Sequence, residues 1–155
     1  MIAFEPFTLS RLSEFRDVIN SNPEYNLLSE GHEKLSDEEI HQWYADSEVQ
    51  GNILCLITYN RRVVGIIDYL MKNPSDHMPW LGLLMIRGQD QGQGLATAAL
   101  HHYEELMRAK DQQTIRLGVI KGNNRALAFW TARGFRFYEE KQGSRWTVLC
   151  FEKNL

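Results

Sequence analysis

A glycine-rich loop between an apolar run and an amphipathic helix constrains the fold more than any other part of the sequence. The run Pro79–Ile86 is apolar throughout, as is typical of a central strand buried on both faces of a sheet. The loop Gln91-Gly92-Gln93-Gly94-Leu95-Ala96 follows, and apolar residues then recur at helical spacing to about Arg108. A strand, a glycine loop and a helix in this order predict a sheet covered by helices.

Shorter patterns on either side complete the predicted fold. Strands are expected at Ile2–Leu9, Asn52–Tyr59, Arg62–Met71, Thr114–Ile120, Phe135–Lys141 and Trp146–Glu152. Helices are expected at Ser10–Asn20, from Ser36 onward and at Asn124–Arg133, while the polar segment Pro23–Lys34 is expected to be a loop over the active site. The predicted fold class is α/β, with a mixed, mostly antiparallel central sheet and helices on both faces.

Composition restricts the class of partner. The chain has 155 residues, which predicts a single domain spanning 1–155, and it is 43% hydrophobic and 24% charged. Its formal charge of -3 provides no electrostatic footprint for nucleic acid or an anionic membrane. No apolar run reaches the roughly 18 residues that a membrane span needs, and the N-terminus lacks a signal pattern. A cytoplasmic location is therefore expected.

The glycine loop has the chemistry of a phosphate site. A helix N-terminus presents unpaired backbone N–H groups and a partial positive charge, and glycines before it let the backbone approach an anion. A nucleoside-triphosphate loop would need Gly-Lys-Ser or Gly-Lys-Thr, but Gly94 is followed by Leu95-Ala96. A dinucleotide loop would need a third glycine where Thr97 stands and an acidic residue ending the strand Thr114–Ile120, and neither is present. These residues exclude both classes.

A second motif lies beyond the predicted helix and the next strand. The run Asn123–Phe135 has Asn at its start, then Ala126, an aromatic pair and a final Gly-Phe. Together with Gln91, Gly94 and Ala96, which match a Gln/Arg-x-x-Gly-x-Gly/Ala signature, this run resembles the GNAT family of N-acetyltransferases. The separation of the two motifs fits one helix and one strand. The order of elements resembles the family over essentially the whole chain.

The resemblance implies a GNAT-like, acyl-CoA N-acyltransferase fold with acetyl-CoA as co-substrate. In such proteins the strand before the loop splays from the next parallel strand and admits the pantetheine arm. Backbone groups of Leu84, Met85 and Ile86 are then expected to bind the acetyl and pantetheine amides, with one N–H stabilising the oxyanion. Backbone amides of the loop are expected to bind the pyrophosphate. Asn123 matches the family's pantetheine-side Asn, although its position suits a helix N-cap equally well.

Acetyl transfer also needs a neutral amine, because an ammonium has no lone pair and a lysine-type amine has a pKa of about 10.4. Many members of the family resembled have a Glu on the strand before the loop, near Trp80 here, but Trp80–Ile86 contains no carboxylate. Asp68, inside an otherwise apolar run, is the predicted substitute base, and a solvated position or an Arg partner is the alternative. The weaker candidates are Asp76, His77, Glu30 and His32.

Trp130 stands where the family commonly has the Tyr that protonates the departing thiolate. An indole N–H donates hydrogen bonds but is not a proton donor at neutral pH. The thiolate, whose thiol has a pKa of about 8.5, then leaves unaided, or another hydroxyl such as Tyr138 or Tyr69 protonates it. Tyr138 is the predicted acid. Trp130 is expected to be a wall packed on the pantetheine, or simply core.

The predicted function is acetyl transfer from acetyl-CoA to a primary amine of a small molecule or peptide, by direct attack in a ternary complex. A non-catalytic acyl-CoA-binding or regulatory module with the same fold is the alternative, because both usual catalytic groups are replaced. No metal site is expected at His101-His102, since adjacent helical residues diverge by roughly 100°. An exposed edge strand makes a homodimer an expectation.

Overall fold

A computed structural model describes all 155 residues and shows one seven-stranded sheet flanked by five helices. The strands are β1 (Ile2–Pro6), β2 (Ile53–Tyr59), β3 (Arg62–Leu70), β4 (Trp80–Ile86), β5 (Thr114–Ile120), β6 (Arg136–Gln142) and β7 (Thr147–Asn154). The helices are α1 (Leu12–Ile19), α2 (Pro23–Glu30), α3 (Asp37–Gln50), α4 (Leu95–Ala109) and α5 (Asn124–Ala132). The strand order is β1-β2-β3-β4-β5-β7-β6, and only the β4–β5 pair is parallel. The predicted fold class is confirmed.

Alternation along the central strands produces a core on each face of the sheet. Cys55 and Ile57 of β2 pack into a cluster with α4 residues such as Leu100, while Leu54 and Leu56 pack into a second cluster with α1 and α3. Side chains of a strand alternate between faces, so the two clusters are separated by the sheet. The helices therefore cover both faces, as predicted.

The prediction of a loop over Pro23–Lys34 was wrong for its first eight residues, which form helix α2, whereas residues 31–34 lie outside any helix or strand. Pro23 lies in the first turn of α2, and Gly31 follows its last residue in the left-handed conformation (φ 83°). Proline at the start of a helix and glycine just past its end are ordinary boundary signals. Asn26 anchors the helix, because its Nδ2 donates to the carbonyls of Ile19 and Glu33. The segment nevertheless lies beside the predicted active site.

The parallel pair β4–β5 opens along its length. The two strands pair only at Trp80 with Arg116 and at Leu81 with Leu117. Beyond Leu81 they diverge, whereas β5 stays paired with β7 from Thr114 to Ile120. Beyond Leu81, the edge of β4 that faces β5 therefore has no strand paired with it. The expected splay is present, and a cleft occupies the opening between the two strands.

Candidate active site

A cleft of about 880 Å³ occupies the opening between β4 and β5. Its walls come from both strands, from the glycine loop and the start of α4, and from α5 and α2. Predicted site residues in these walls are Leu84, Met85, Ile86, Gln91, Gly92, Gly94, Leu95, Ala96, Asn123 and Trp130. Gln93 is exposed and is not part of the walls. The structure thus brings the two sequence motifs to opposite sides of one cleft.

The open edge of β4 presents backbone groups to this cleft. The Arg87 N–H donates to the Val64 carbonyl of the neighbouring strand at 2.7 Å. Because N–H groups alternate in direction along a strand, those of Leu84 and Ile86 point the other way, into the cleft. The Ile86 carbonyl confirms this direction, since it accepts from the side chains of Asn22 and Gln91. Unpaired strand groups here are available to a bound amide.

Gly92 and Gly94 shape the end of the cleft nearest α4. Both are left-handed, with φ of 77° and 80°, and Gly94 is the residue that precedes the helix. A Cβ built at either position would meet no protein atom within 4 Å. The first-turn N–H groups of α4 have no side-chain cap. This end is therefore an open helix N-terminus suited to phosphate.

Three side chains around the loop add hydrogen-bonding capacity and charge. Gln91 donates to the Ile86 carbonyl and accepts from Arg125 at 3.0 Å, so it pins the loop to β4 and α5. Arg133 donates to the Thr97 hydroxyl in the first turn of α4. Both arginines line the cleft, and neither was predicted from the sequence. Their position within the second motif was the available signal, because cations near a phosphate site strengthen the binding of phosphate.

Asn123 and Trp130 occupy the α5 side of the cleft. Asn123 accepts from the Ala126 N–H at 3.2 Å and caps α5, so the capping role is present and the residue also lines the cleft. Trp130 is 9% exposed and packs edge-on against Phe129 and Phe135. It belongs to the core and to the cleft wall at once, which joins the two expected roles.

A smaller cavity of about 430 Å³, called here the side cavity, lies between α2, α3 and the ends of β3 and β4. It shares Tyr25, Gly82 and Leu83 with the cleft, so the two spaces border each other at these residues. Gly82 is a bulge, because Leu83 is opposite Asp68 while Leu81 is opposite Tyr69. The bulge is therefore part of the wall of both spaces.

Asp68 lines the side cavity. It is 7% exposed, and its carboxylate accepts from the Asn52 amide at 2.8 Å and from the Trp43 indole at 3.1 Å. It has no Arg partner and is not solvated, so neither alternative from the sequence describes it. Burial raises the pKa of the Asp68 carboxyl, and the two hydrogen bonds only partly oppose that shift. Its carboxyl carbon lies 3.8 Å from where a Cβ on Gly82 would be.

Tyr25 of α2 is the phenol at the junction, and the sequence analysis did not single it out. Burial raises the pKa of its hydroxyl, and the carboxylates of Glu30 and Asp68 add to the shift. The predicted acid Tyr138 lines neither space; its ring stacks under Arg116 at 4.6 Å, and burial raises its pKa to about 12. Tyr69 is buried against Tyr103, also outside both walls. The structure therefore places neither of these two phenols in the walls of the cleft or of the side cavity.

The weaker base candidates are scattered. Asp76 binds Arg116 and the Trp80 indole, so it holds the sheet together, and His77 is exposed on a turn. Glu30 lines the side cavity, whereas His32 pairs with Glu39 on the surface.

No group of three or more His, Cys, Asp or Glu side chains could hold a metal ion. No helix is both long and apolar enough to cross a membrane.

Comparisons with known proteins agree with this geometry. Residues 14–135 match the family described as Acetyltransferase (GNAT) family. An acetyltransferase from Thermus thermophilus is 26% identical, with a TM-score of 0.86 over 100% of this chain and 97% of that chain. PaiA N-acetyltransferase from Thermoplasma acidophilum, in complex with coenzyme A, is 16% identical, with a TM-score of 0.68 over 100% and 99%. Ribosomal-protein-alanine N-acetyltransferase from Brucella melitensis is 18% identical, with a TM-score of 0.68 over 100% and 99%. A search of curated proteins found no match.

Proposed function

The chain belongs to the GNAT acetyltransferase family, and we propose that it transfers the acetyl group of acetyl-CoA to a primary amine by direct attack in a ternary complex. One observation carries the proposal. A cleft with an open helix N-terminus at one end borders, at Gly82 and Leu83, a second space whose wall includes the buried carboxylate of Asp68. The donor and the acceptor thus have separate entrances to one reaction centre.

The cleft fits the donor from end to end. The first-turn N–H groups of α4, after Gly94, would bind the pyrophosphate, and Arg125 and Arg133 would neutralise phosphate charge. The inward-pointing carbonyl of Leu84 and N–H of Ile86 would pair with the amides of the pantetheine arm. Trp130 would pack against that arm from the α5 side.

The chemical step follows from the groups at the junction. Asp68 accepts a proton from the acceptor ammonium, and the neutral nitrogen attacks the thioester carbonyl carbon. The Leu84 N–H donates to the carbonyl oxygen as it gains negative charge. The new C–N bond forms, the C–S bond breaks, and the Tyr25 hydroxyl gives its proton to the departing thiolate. The nitrogen then loses its second proton to the Tyr25 oxygen, which restores the phenol, and Asp68 releases the first proton to solvent. Asp68 and Tyr25 replace, in our proposal, the groups absent at Trp80 and Trp130.

The proposal is tested by thiol release from acetyl-CoA against a panel of primary amines, with CoA binding measured by calorimetry. Saturable CoA binding with amine-dependent thiol release is expected. CoA binding without release on any amine would instead support an acyl-CoA-binding module, which the absence of a carboxylate on β4 also favours. Absence of CoA binding would refute the assignment of the cleft.

A further inference from the structure

The walls of the side cavity have charge of one sign. They carry four carboxylates and neither Lys nor Arg; the four are Glu30, Glu39, Asp46 and Asp68. Two of them have basic neighbours outside the wall: Glu30 lies 3.1 Å from Arg145, and Glu39 lies 2.8 Å from His32. Asp46 accepts only from the neutral amide of Gln42, and Asp68 has only the neutral donors described above. Two carboxylates of this cavity therefore have no cationic partner.

The same walls contain buried acceptors without donors. Asn26 is 1% exposed, and both hydrogen bonds of its Nδ2 go to backbone carbonyls, which fixes its orientation. Its Oδ1 has no partner. Asn52 behaves in the same way, because its Nδ2 donates to Asp68 while its Oδ1 is buried and unpaired. A buried acceptor is costly unless a ligand or water supplies a donor.

We propose that the acceptor is a primary amine with a second cationic nitrogen, which the side cavity binds while the first nitrogen reacts at Gly82 and Leu83. This substrate class rests on the proposed function. An ammonium has three donors and no acceptor, so it complements a wall of carboxylates and unpaired amide oxygens. The phosphate end of the cleft, with Arg125 and Arg133, has the opposite charge. An anionic group on the acceptor would be repelled from the carboxylates.

Helix α3 fixes the spacing between the two nitrogens. Trp43, Asp46 and Gln50 lie on one face of α3 at helical spacing, and all three line the side cavity. The Trp43 indole holds Asp68, and Asp46 lies one turn further along, roughly 5 Å along the axis. A second nitrogen a few carbon atoms from the first would reach Asp46. Short aliphatic diamines have this length.

The test uses three amines with the same four-carbon chain and a different far end: putrescine (cationic), n-butylamine (neutral) and γ-aminobutyrate (anionic). The value of kcat/KM is expected to be at least about tenfold higher for putrescine than for n-butylamine, and lowest for γ-aminobutyrate. Asp46→Asn, at an exposed position, should reduce the putrescine-to-butylamine ratio roughly two- to fivefold. Glu48→Gln is the matched control, because it removes the same charge from α3 outside the cavity wall.

Calorimetry separates this inference from the proposed function. Putrescine is titrated into the full chain saturated with CoA, which requires no turnover. Binding of putrescine that weakens in Asp46→Asn but not in Glu48→Gln supports the substrate class even if acetyl transfer fails. Equal kcat/KM for putrescine and n-butylamine, or no binding of putrescine beyond that of n-butylamine, would overturn it while leaving acetyl transfer intact.

Discussion

Valine at Gly94 tests the phosphate end of the cleft, and Gly51 provides a control with nearly the same backbone. Gly94 has φ 80° and ψ 9°, and Gly51, which ends α3, has φ 78° and ψ 19°. A Cβ at either position would meet no protein atom within 4 Å. Both valines are therefore strained to the same degree without a clash. The strain costs each variant about 2 kcal/mol of unfolding free energy, or roughly 4–8 °C in melting temperature.

Only the Gly94 variant should lose CoA. The valine side chain would stand where the pyrophosphate meets the first-turn N–H groups of α4. Two charge-assisted hydrogen bonds of about 1.5–3 kcal/mol each correspond to at least about a hundredfold in affinity. Calorimetry with CoA and thermal melting of both variants measure the two effects separately. Unchanged CoA affinity in folded Gly94→Val, or an equal loss in Gly51→Val, would refute the reasoning.

Four further outcomes are expected. If Asp68 is the base, Asp68→Asn lowers the rate of acetyl transfer about a hundredfold near pH 7 and far less near pH 9, because free amine is more abundant at pH 9. The control Asp111→Asn, at an exposed position, should change neither rate. An equal loss at both pH values would exclude this role for Asp68. The pKa of Asp68 is raised in the folded chain. Its contribution to the free energy of unfolding is therefore fully present below the pKa of about 3.9 in the unfolded chain and is lost as the pH rises through the pKa in the folded chain. Urea titrations across this pH range should show the wild type losing stability relative to Asp68→Asn. Tyr25→Phe should lower kcat roughly ten- to a hundredfold and leave the KM for acetyl-CoA little changed. Tyr138→Phe should have a kcat near that of the wild type. If Tyr138→Phe instead lowers kcat more than Tyr25→Phe does, Tyr138 is the acid. Arg133→Met should raise KM about tenfold for acetyl-CoA but not for S-acetylpantetheine, which lacks the pyrophosphate, and an equal effect on both donors would count against a phosphate contact.

The elements that the sequence predicted well are those with strong periodicity or strong boundary chemistry. The capping box at Ser36 places α3 correctly, and Ser36 and Glu39 make both reciprocal hydrogen bonds. The strand Thr114–Ile120 has the bounds that were predicted. Helix α2 was missed because it is short and its apolar residues do not form a clear stripe. Its proline and glycine boundaries were the better signal, and they outweighed the polar composition between them.

Part of the cleft could be predicted from the sequence, because the groups that we propose to bind the donor there are backbone atoms. Left-handed glycines and a helix N-terminus are local features, so Gly92 and Gly94 could be assigned from neighbouring residues alone. The side cavity could not be predicted from the sequence, because it forms where α2 and α3 pack over the bulge at Gly82. Asp68 could be singled out as a carboxylate in an apolar run. The sequence did not reveal that its partners are the neutral side chains of Asn52 and Trp43.

This difference between backbone and side-chain groups explains why tryptophans can stand at positions 80 and 130, where the family commonly has a Glu and a Tyr. The proposed oxyanion donor and the proposed phosphate site depend on strand direction and on a helix end, which the fold fixes, so local sequence patterns predict them. A proton acceptor or donor needs only to reach the reaction centre, and any element bordering Gly82 can supply it. Here β3 offers Asp68 and α2 offers Tyr25, and both border the junction of the two cavities. Trp80 and Trp130 are therefore free to be structural, one bound to Asp76 and the other packed in the core.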